Sequence, residues 1–415
     1  MRRVSRVRSR ITHQALLALL LCWLPLACRA QEPSDPEIAA VITELLPRIE
    51  EISGLEARDS IRFARRPAAE LRRYIEDQIT EQLPPEELRA VREVYTLLGL
   101  IPDTIDLRAL LLDLYGEQVL GYYDPDDRRL YLVEGVGPET LRPVLAHEIV
   151  HALQDQHTDL DSLVSRDRGN DRQLAAQAAM EGHATLVMML HSLEETLGRE
   201  LPPSELPDLT EQVAVGLEAQ NEQFPVFGSA PRIIRETLLF PYTGGATFVQ
   251  ALWRRYPGTA PIDSLLPQST EQVRDPDGRF FEARDPPTEL RLDIEPGDWE
   301  VAYQNDLGQL ETAVLLEEHL GAAAAEAAHG WDGDRYALLH HADARALVWY
   351  SVWDDADSAD AFADAYRAVA RRFPNGSTTV ARLETAGVPT VRVVHRPAGD
   401  GAPPLPQLRL RLGPP

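Results

Sequence analysis

Two histidines four residues apart, with a glutamate beside the first, are the residues of this chain best suited to chemistry. Residues 147–151 read His-Glu-Ile-Val-His, an HExxH motif. On a helix, residues four apart lie on one face, so the imidazoles of His147 and His151 can reach the same ion. Glu148 lies about 100° around the helix, where it can contact a metal-bound water without ligating the metal. Because zinc takes nitrogen and oxygen ligands and leaves a position for water, the motif predicts a Zn²⁺ site with Glu148 as catalytic base.

A third protein ligand is needed, and two residues compete for that role. His157 completes HEIVHALQDQH, which has the histidine spacing of the metzincin signature. That signature needs Gly at its eighth position so that the chain can turn back to the metal, and Gln154 stands there instead. If the helix continues, His157 lies about 120° from His151 and points away from the metal.

Glu181 is the better candidate for the third ligand. It lies thirty positions after His151 in AAQAAMEGHATLVMML, which predicts a long helix with an Ala- and Leu-rich face. An ionised carboxylate in such an apolar helix pair is costly unless a positive charge compensates it, and zinc would supply that charge. His183 lies about 200° around the same helix, so we expect it to face away.

The elements that must position these residues follow from hydrophobic periodicity and turn residues. Residues 118–133 predict a hairpin that turns at Asp124-Pro125-Asp126-Asp127, with its second strand at about 128–134. A helix from about 140 to 156 then carries HExxH, and another from about 172 to 197 carries Glu181. Further helices are predicted at about 36–54, 68–82, 86–98, 105–115, 230–239 and 244–255, and a weak strand at 60–64.

HExxH followed by a Glu on the next long helix is the pattern of gluzincin metallopeptidases. More narrowly, GYYDPDDRRLYLV, HEIVHALQDQH and EGHATLVM resemble a family of poorly characterised exported bacterial zincin-like proteins. The close resemblance covers residues 118–190. It implies a zincin fold with an edge strand above the active-site helix, and the strand at 128–134 would then pair with an extended peptide substrate.

The chain departs from the resemblance at one position. Gluzincins often carry an acidic residue four positions after the ligand Glu, where it orients a histidine. Thr185 stands there in this chain. A threonine hydroxyl brings no charge, so another group must orient the ligand, and Asp155 is the candidate.

Peptide hydrolysis also needs a hydrogen-bond donor for the tetrahedral oxyanion. Tyr242 in FPYTGGATF is our candidate, because it follows the Glu helix as the equivalent Tyr does in some gluzincin families. The glycines at 244 and 245 would allow close approach to the cleft. Tyr122 and Tyr123 are rival candidates.

Composition and charge limit the class of protein. The chain has 415 residues, 44% of them hydrophobic, which is enough for two or three domains with packed cores. Its formal net charge of −25 argues against a nucleic-acid partner, because phosphate binding needs a basic face. The two cysteines, Cys22 and Cys28, both lie in the N-terminal segment, so no disulfide joins later parts of the chain.

The N-terminal segment has the layout of a secretory signal. Five arginines and no acid in residues 1–10 precede the apolar run ALLALLLCWLPLA at 15–27, and a polar stretch follows. Cleavage after Ala30 and lipidation of Cys28 are both open, since Leu26-Ala27-Cys28 partly resembles a bacterial lipobox. We therefore expect an exported protein, either periplasmic, secreted or anchored to a membrane as a lipoprotein.

These features predict an α+β protein with a zincin-like, mostly helical catalytic domain and a small C-terminal α+β domain of order αββαββ. The predicted organisation is a signal at 1–30, a helical region at 31–100, the catalytic domain at 101–256, a linker at 257–295 and the C-terminal domain at 296–415. The predicted function is hydrolysis of peptide or protein substrates by an exported zinc metallopeptidase through a zinc-activated water. The alternative is a non-catalytic exported protein that keeps a zincin fold for binding or assembly.

Overall fold

The chain has the α+β class expected from its sequence, as the computed structural model shows for residues 33–163, 168–206, 224–295, 297–373, 377–396 and 403–413. In this part of the chain the helices are α1 (Asp35–Ser53), α2 (Ala68–Gln82), α3 (Pro85–Leu97), α4 (Leu107–Gln118), α5 (Pro138–His157), α6 (Leu160–Leu163), α7 (Asn170–Leu197), α8 (Pro225–Ser229), α9 (Arg232–Arg255), α10 (Thr270–Arg274), α11 (Gly308–Leu320) and α12 (Ala356–Ala370). The strands are β1 (Phe63–Arg66), β2 (Gly121–Asp124), β3 (Arg129–Val133), β4 (Leu290–Glu295), β5 (Glu300–Asn305), β6 (Trp331–His341), β7 (Ala344–Trp353), β8 (Thr378–Thr385), β9 (Val388–His395) and β10 (Gln407–Leu412). Helices therefore dominate the first two thirds of the described residues, and strands dominate the last third.

A three-stranded sheet of order β1-β3-β2 packs beside α5. Strand β3 pairs in parallel with β1, with Phe63 opposite Leu130, and antiparallel with β2, with Tyr122 opposite Tyr131. The predicted weak strand thus forms, three residues later than expected, and covers one side of β3. The prediction that 128–134 is the edge strand is wrong, because β1, which is distant in sequence, pairs with the side of β3 that β2 leaves open. Strand β3 is central in this sheet, and the strand of the hairpin that lies at an edge is β2.

Helices α7 and α9 pack against each other more closely than side chains would allow. A Cβ placed on Gly182 of α7 would lie 2.0 Å from the carbonyl carbon of Gly245 on α9, so only glycine permits this approach. The predicted break between residues 239 and 244 does not occur, because α9 continues through Pro241. Contact with α7 offsets the local cost of that proline, which is about 3 kcal/mol in a helix interior.

The C-terminal part is built on a five-stranded antiparallel sheet of order β5-β6-β7-β9-β8. Helix α12 packs on this sheet, and its Phe362 contacts the buried rings of Trp349 and Trp353. The predicted order αββαββ is present from α11 to β9. The structure adds β5 at one edge, and a two-stranded antiparallel pair of β4 with β10.

The C-terminal part holds the beginning of α7. The side-chain oxygen of Asn305 accepts a hydrogen bond from the Asn170 amide at 3.2 Å, and Asp306 accepts one from the Asp171 amide at 2.7 Å. Glu311 on α11 accepts a third bond, from the Asn170 side chain at 2.8 Å. The first amides of a helix have no partner within the helix, so these groups act as its cap. The helix that carries Glu181 is thereby anchored to the second half of the chain.

The segment 257–295, predicted as a linker, contains ordered elements. Ser269 caps α10 by accepting from the Gln272 amide, and a π-helical turn follows at Pro276–Glu282 before β4 begins. Thr270 and Val273 are fully buried. Such short capped elements are not visible in a composition that is rich in Pro, Asp and Gly.

The N-terminal segment on which the export and Cys28 lipidation predictions rest lies outside the described residues. Within the described ranges, no helix combines the length and apolar character that crossing a membrane needs.

Candidate metal centre

Three side chains from two helices converge on one point. His147 and His151 lie one turn apart on α5, and Glu181 lies on the α7 surface that faces them. The two histidine Nε2 atoms are 3.1 Å apart, and Glu181 Oε2 is 3.2 Å from the first and 3.4 Å from the second. Three ligands placed about 2.0–2.1 Å from one tetrahedral ion lie roughly 3.3–3.4 Å from each other. The donor atoms of this trio are therefore spaced as a zinc-sized ion requires.

Helix α5 presents the motif inside the protein. Pro138 stands at its first position, after Gly137 in an extended conformation, which is a favourable helix start. Every residue from Val144 to Gln154 is buried, because α1, α7 and β2 all pack on this stretch. A helix that is apolar on one face only would leave part of the motif in solvent. Here the surrounding elements bury both imidazoles.

Glu148 lies beside the trio and is completely buried. Neither carboxylate oxygen has a hydrogen-bond partner of normal geometry among the described residues, although the backbone of Tyr123 on β2 comes close. Burial raises the pKa of Glu148 to about 8; His151 opposes the rise and Glu181 adds to it. A divalent cation at the trio would oppose the rise as His151 does and keep the carboxylate ionised. The unpartnered carboxylate is thus a second feature that fits a cation here.

The ionisation of the trio shows how strongly the three groups interact. Burial disfavours ionised Glu181, but His151 and His147 outweigh burial and lower the pKa of Glu181 to about 2. Burial also disfavours protonated His151, but Glu181 outweighs it and raises the pKa of His151 to about 9. For His147 burial prevails and lowers the pKa. The carboxylate thus draws positive charge to this point, and a metal would compete with a proton for His151 Nε2.

Gln154 contacts the trio, and sequence reasoning missed it. Its Oε1 lies 2.9 Å from His151 Nδ1, and its Nε2 donates to the Met180 carbonyl oxygen at 3.1 Å. Asp155, which we expected to orient a histidine, instead accepts a hydrogen bond from the Tyr123 hydroxyl at 2.9 Å. Helical position marks Gln154 as a neighbour of His151, but it marks Asp155 equally, because residues three and four after a ligand both lie beside it.

The other histidines near the motif are turned away from the trio. The helix continues through His157, whose Nε2 donates to the Glu56 carbonyl oxygen at 2.7 Å. His183 is fully buried, and its Nε2 lies 3.1 Å from the Ser53 carbonyl oxygen. The Thr185 hydroxyl has no hydrogen-bond partner within the described residues, so it does not replace the missing acidic group.

Tyr242 is the candidate oxyanion donor that lies beside the trio. It is buried on α9, with its ring centroid 6.5 Å from that of His147. Tyr122 stacks at 4.4 Å on Tyr74, a residue of α2, and the Tyr123 hydroxyl is bonded to Asp155. Tyr115 on α4, which no sequence pattern marks, packs against Tyr242. Burial raises the pKa of Tyr115 to about 12, with Glu181 contributing.

A second group of acids, Asp285, Asp332 and Asp354, also lies close together. The guanidinium of Arg279 contacts Asp285 at 2.7 Å and Asp354 at 2.6 Å, and Thr288 donates to Asp332 at 2.8 Å. A cation already pairs with two of these three carboxylates, so we assign no metal to the group.

Comparisons with known proteins give a family match that is confined to the C-terminal part and a distant structural likeness. A family model described as a domain of unknown function (DUF8575) matches residues 299–401, which contain none of the candidate site residues. No curated protein matches the chain. Among solved structures, a protein from Chloroflexus aurantiacus, provisionally described as a hydrolase with a novel fold, is 18% identical; the match covers 63% of this chain and 93% of that one, with a TM-score of 0.34. A likeness of that size does not establish a shared fold, so function must be argued from the site.

Proposed function

We propose that this chain is an exported zinc metallopeptidase whose catalytic region is zincin-like and whose ligand set is that of a gluzincin. One observation carries the proposal: His147, His151 and Glu181 lie 3.1–3.4 Å apart, beside the buried carboxylate of Glu148 that has no partner among the described residues. Burying an uncompensated carboxylate is strongly unfavourable, so a cation is the simplest reason for this arrangement.

The atoms that would hold the ion are His147 Nε2, His151 Nε2 and Glu181 Oε2. Two imidazole nitrogens and one carboxylate oxygen are a ligand set of catalytic zinc sites, which leave a fourth position open. When bound there, zinc would polarise the scissile carbonyl and lower the pKa of a water molecule. Zinc is the metal we propose from this donor set, and competition between divalent metals would test that choice.

Glu148 is the group that moves protons in the proposed reaction. Its carboxylate takes a proton from water while the water oxygen bonds to the scissile carbonyl carbon. It then delivers that proton to the amide nitrogen as the C–N bond breaks, giving a carboxylic acid and an amine. The Tyr242 hydroxyl donates a hydrogen bond to the oxygen on which negative charge develops.

The substrate would be an extended peptide paired with β2 rather than with β3. Strand β2 is at the sheet edge, and the backbone of Tyr123 approaches Glu148. A peptide added to that edge would align its own backbone with the strand, which places a peptide bond near the carboxylate. All four β2 residues are buried, so this pairing requires the groups covering the strand to move.

The test is peptide turnover by the mature protein, measured beside a Glu148→Gln variant. Glutamine keeps the size of the side chain but cannot take a proton, so we expect unchanged zinc content and a loss of activity of about 10²–10⁴-fold. Glu311→Gln is a matched control, because Glu311 is another buried glutamate outside the trio, and a glutamine there keeps an oxygen for the Asn170 side chain at the start of α7. Equal turnover by wild type and Glu148→Gln would contradict the peptidase proposal.

The full burial of Glu148 favours a second candidate, a non-catalytic exported protein that uses the metal for folding or assembly. Structural zinc sites stabilise a fold without needing substrate access. This candidate predicts a wild type that binds zinc and unfolds when zinc is removed, but that cleaves no member of a peptide library.

Export is supported by the N-terminal segment alone, and the partners we propose are peptides or proteins rather than nucleic acids. The formal net charge of −25 supports the second point. The mass of the mature N-terminus would distinguish a lipidated Cys28, which attaches the protein to a membrane, from cleavage after Ala30.

A further inference from the structure

A chain of hydrogen bonds leads from the candidate ligand His151 to the end of another helix. Gln154 Oε1 lies 2.9 Å from His151 Nδ1, and Gln154 Nε2 lies 3.2 Å from His183 Nδ1. His183 Nε2 in turn lies 3.1 Å from the carbonyl oxygen of Ser53, the last residue of α1. His151, Gln154 and His183 are at most 1% exposed, so no solvent competes for these bonds.

The backbone oxygens at two points of this chain fix the direction of every bond. A carbonyl oxygen only accepts, so the Gln154 atom that lies 3.1 Å from the Met180 carbonyl must be its NH₂ group. The same NH₂ group faces His183 Nδ1, which must therefore accept. The proton of His183 then lies on Nε2 and is donated to the Ser53 carbonyl.

These bond directions determine which nitrogen of the candidate ligand His151 carries a proton. With its NH₂ group committed, Gln154 presents only Oε1 to His151, so His151 Nδ1 must carry a proton and donate it. A histidine with a proton on Nδ1 has its available lone pair on Nε2. That Nε2 atom is the one that lies 3.1 Å from His147 Nε2 and 3.4 Å from Glu181 Oε2.

We infer that Gln154 and His183 form a relay that positions His151 and fixes its tautomer, so that Nε2 is presented to a metal before the metal arrives. The inference rests on the proposed metal site. Gln154 and His183 are positioning residues, since neither has an atom among the three donors. An amide carries no charge, so its contribution is orientation of the ring rather than the added basicity that a carboxylate partner provides.

The relay is held from three sides. Gln154 lies on α5, Met180 and His183 lie on α7, and Ser53 ends α1, so the bonds join the three helices around the site. The indole of Trp253 meets the His183 ring edge-on at 6.0 Å and limits its rotation. The other ligand has no such support: His147 Nδ1 is buried without a hydrogen-bond partner in the described part of the chain.

The first experiment reads ring protonation in the metal-free full-length protein by ¹⁵N NMR of selectively labelled histidines. The relay requires a proton on His151 Nδ1 and none on His183 Nδ1, whether or not His151 Nε2 also carries a proton. A proton on His183 Nδ1, or a bare His151 Nδ1, would overturn the inference. Because no metal is present, this result does not depend on whether the proposed function is right.

The second experiment measures zinc affinity by competition with a chelator, for wild type, Gln154→Met and Gln272→Met. Loss of an outer partner of a ligand histidine typically lowers metal affinity about 10–100-fold, which we expect for Gln154→Met. Gln272 is also buried and bonded to backbone, but lies away from the trio, so its variant should bind as wild type does. Equal affinities for all three proteins would overturn the relay, whereas a wild type that binds no zinc would instead overturn the proposed function.

Discussion

Replacement of Gly182 by Ala tests whether the contact between α7 and α9 sets the position of Glu181. The added Cβ would lie 2.0 Å from the carbonyl carbon and 2.2 Å from the carbonyl oxygen of Gly245. Carbon atoms in contact prefer about 3.5–4.0 Å, so the two helices must separate by on the order of 1 Å. The clash is between backbone atoms, so rotation of a side chain cannot relieve it.

The cost of Gly182→Ala has two opposing contributions. Alanine favours the helix over glycine by about 1 kcal/mol, whereas overpacking a tight core typically costs about 1–3 kcal/mol. Because backbone meets backbone here, we expect the upper end and a net loss of about 1–2 kcal/mol, which lowers Tm by roughly 2–8 °C. Metal–ligand distances tolerate only about 0.2 Å, so moving the neighbouring Glu181 should also lower zinc affinity at least about tenfold.

Gly116→Ala is the matched control for this variant. Gly116 lies in α4, and a Cβ there would have a single neighbour within 4 Å, Arg72 Nη1 at 3.9 Å. Its variant should keep or raise Tm and bind zinc normally. Thermal unfolding and a zinc titration check both properties. If Gly182→Ala behaves like Gly116→Ala in both, the reasoning about this helix contact is refuted.

Two further predictions concern the oxyanion donor and the cap of α7. Tyr242→Phe should lower kcat by about 10²–10³-fold with zinc affinity unchanged, whereas Tyr115→Phe should leave kcat near the wild-type value; the reverse ranking would show that the donor was misassigned. Burial, with Asp334 adding to it, raises the pKa of Asp306 from its ordinary value of 3.8 to about 7. Between these two pH values Asp306 is protonated in the folded state and ionised in the unfolded state, so the free energy of unfolding falls as pH rises from about 4 to 7. Asp306→Asn keeps an oxygen for the Asp171 amide and removes the charge, so urea unfolding midpoints should depend less on pH between 4 and 7; an unchanged dependence would contradict this assignment.

The local elements that carry the candidate ligands could be read from the sequence because their signals are local. The helix predicted at about 140–156 is α5, which runs from Pro138 to His157, and the helix predicted at about 172–197 is α7. Helical spacing alone indicates that His147 and His151 share a face. It also indicates that His157 points elsewhere, as its bond to the Glu56 carbonyl shows.

Features that depend on contacts between distant segments could not be read in this way. The central place of β3 in the sheet depends on its pairing with β1, and three helices separate these two strands in the sequence. The continuity of α9 through Pro241 depends on the close approach of Gly245 to α7. Local propensity favours a break at that point, and tertiary packing overrides it.

The surroundings of the ligands were the hardest part of the site to predict. Asp155 seemed suited to orient a histidine because of its charge, yet Gln154, one position earlier, makes the bond to His151. Successive residues lie about 100° apart around a helix, so Gln154 faces His151 whereas Asp155 faces the Tyr123 hydroxyl. Which of the two faces the imidazole depends on where α7 lies, and the sequence of α5 does not contain that information.

Bound metal in the mature protein tests the central claim most directly. Elemental analysis should be made on wild type beside Glu181→Ala and His157→Ala. We predict about one zinc per chain in wild type and in His157→Ala. Glu181→Ala should hold much less, because it removes a donor from the trio and His157→Ala does not. A wild type without metal, or a Glu181→Ala variant that retains as much zinc as wild type, would contradict this account.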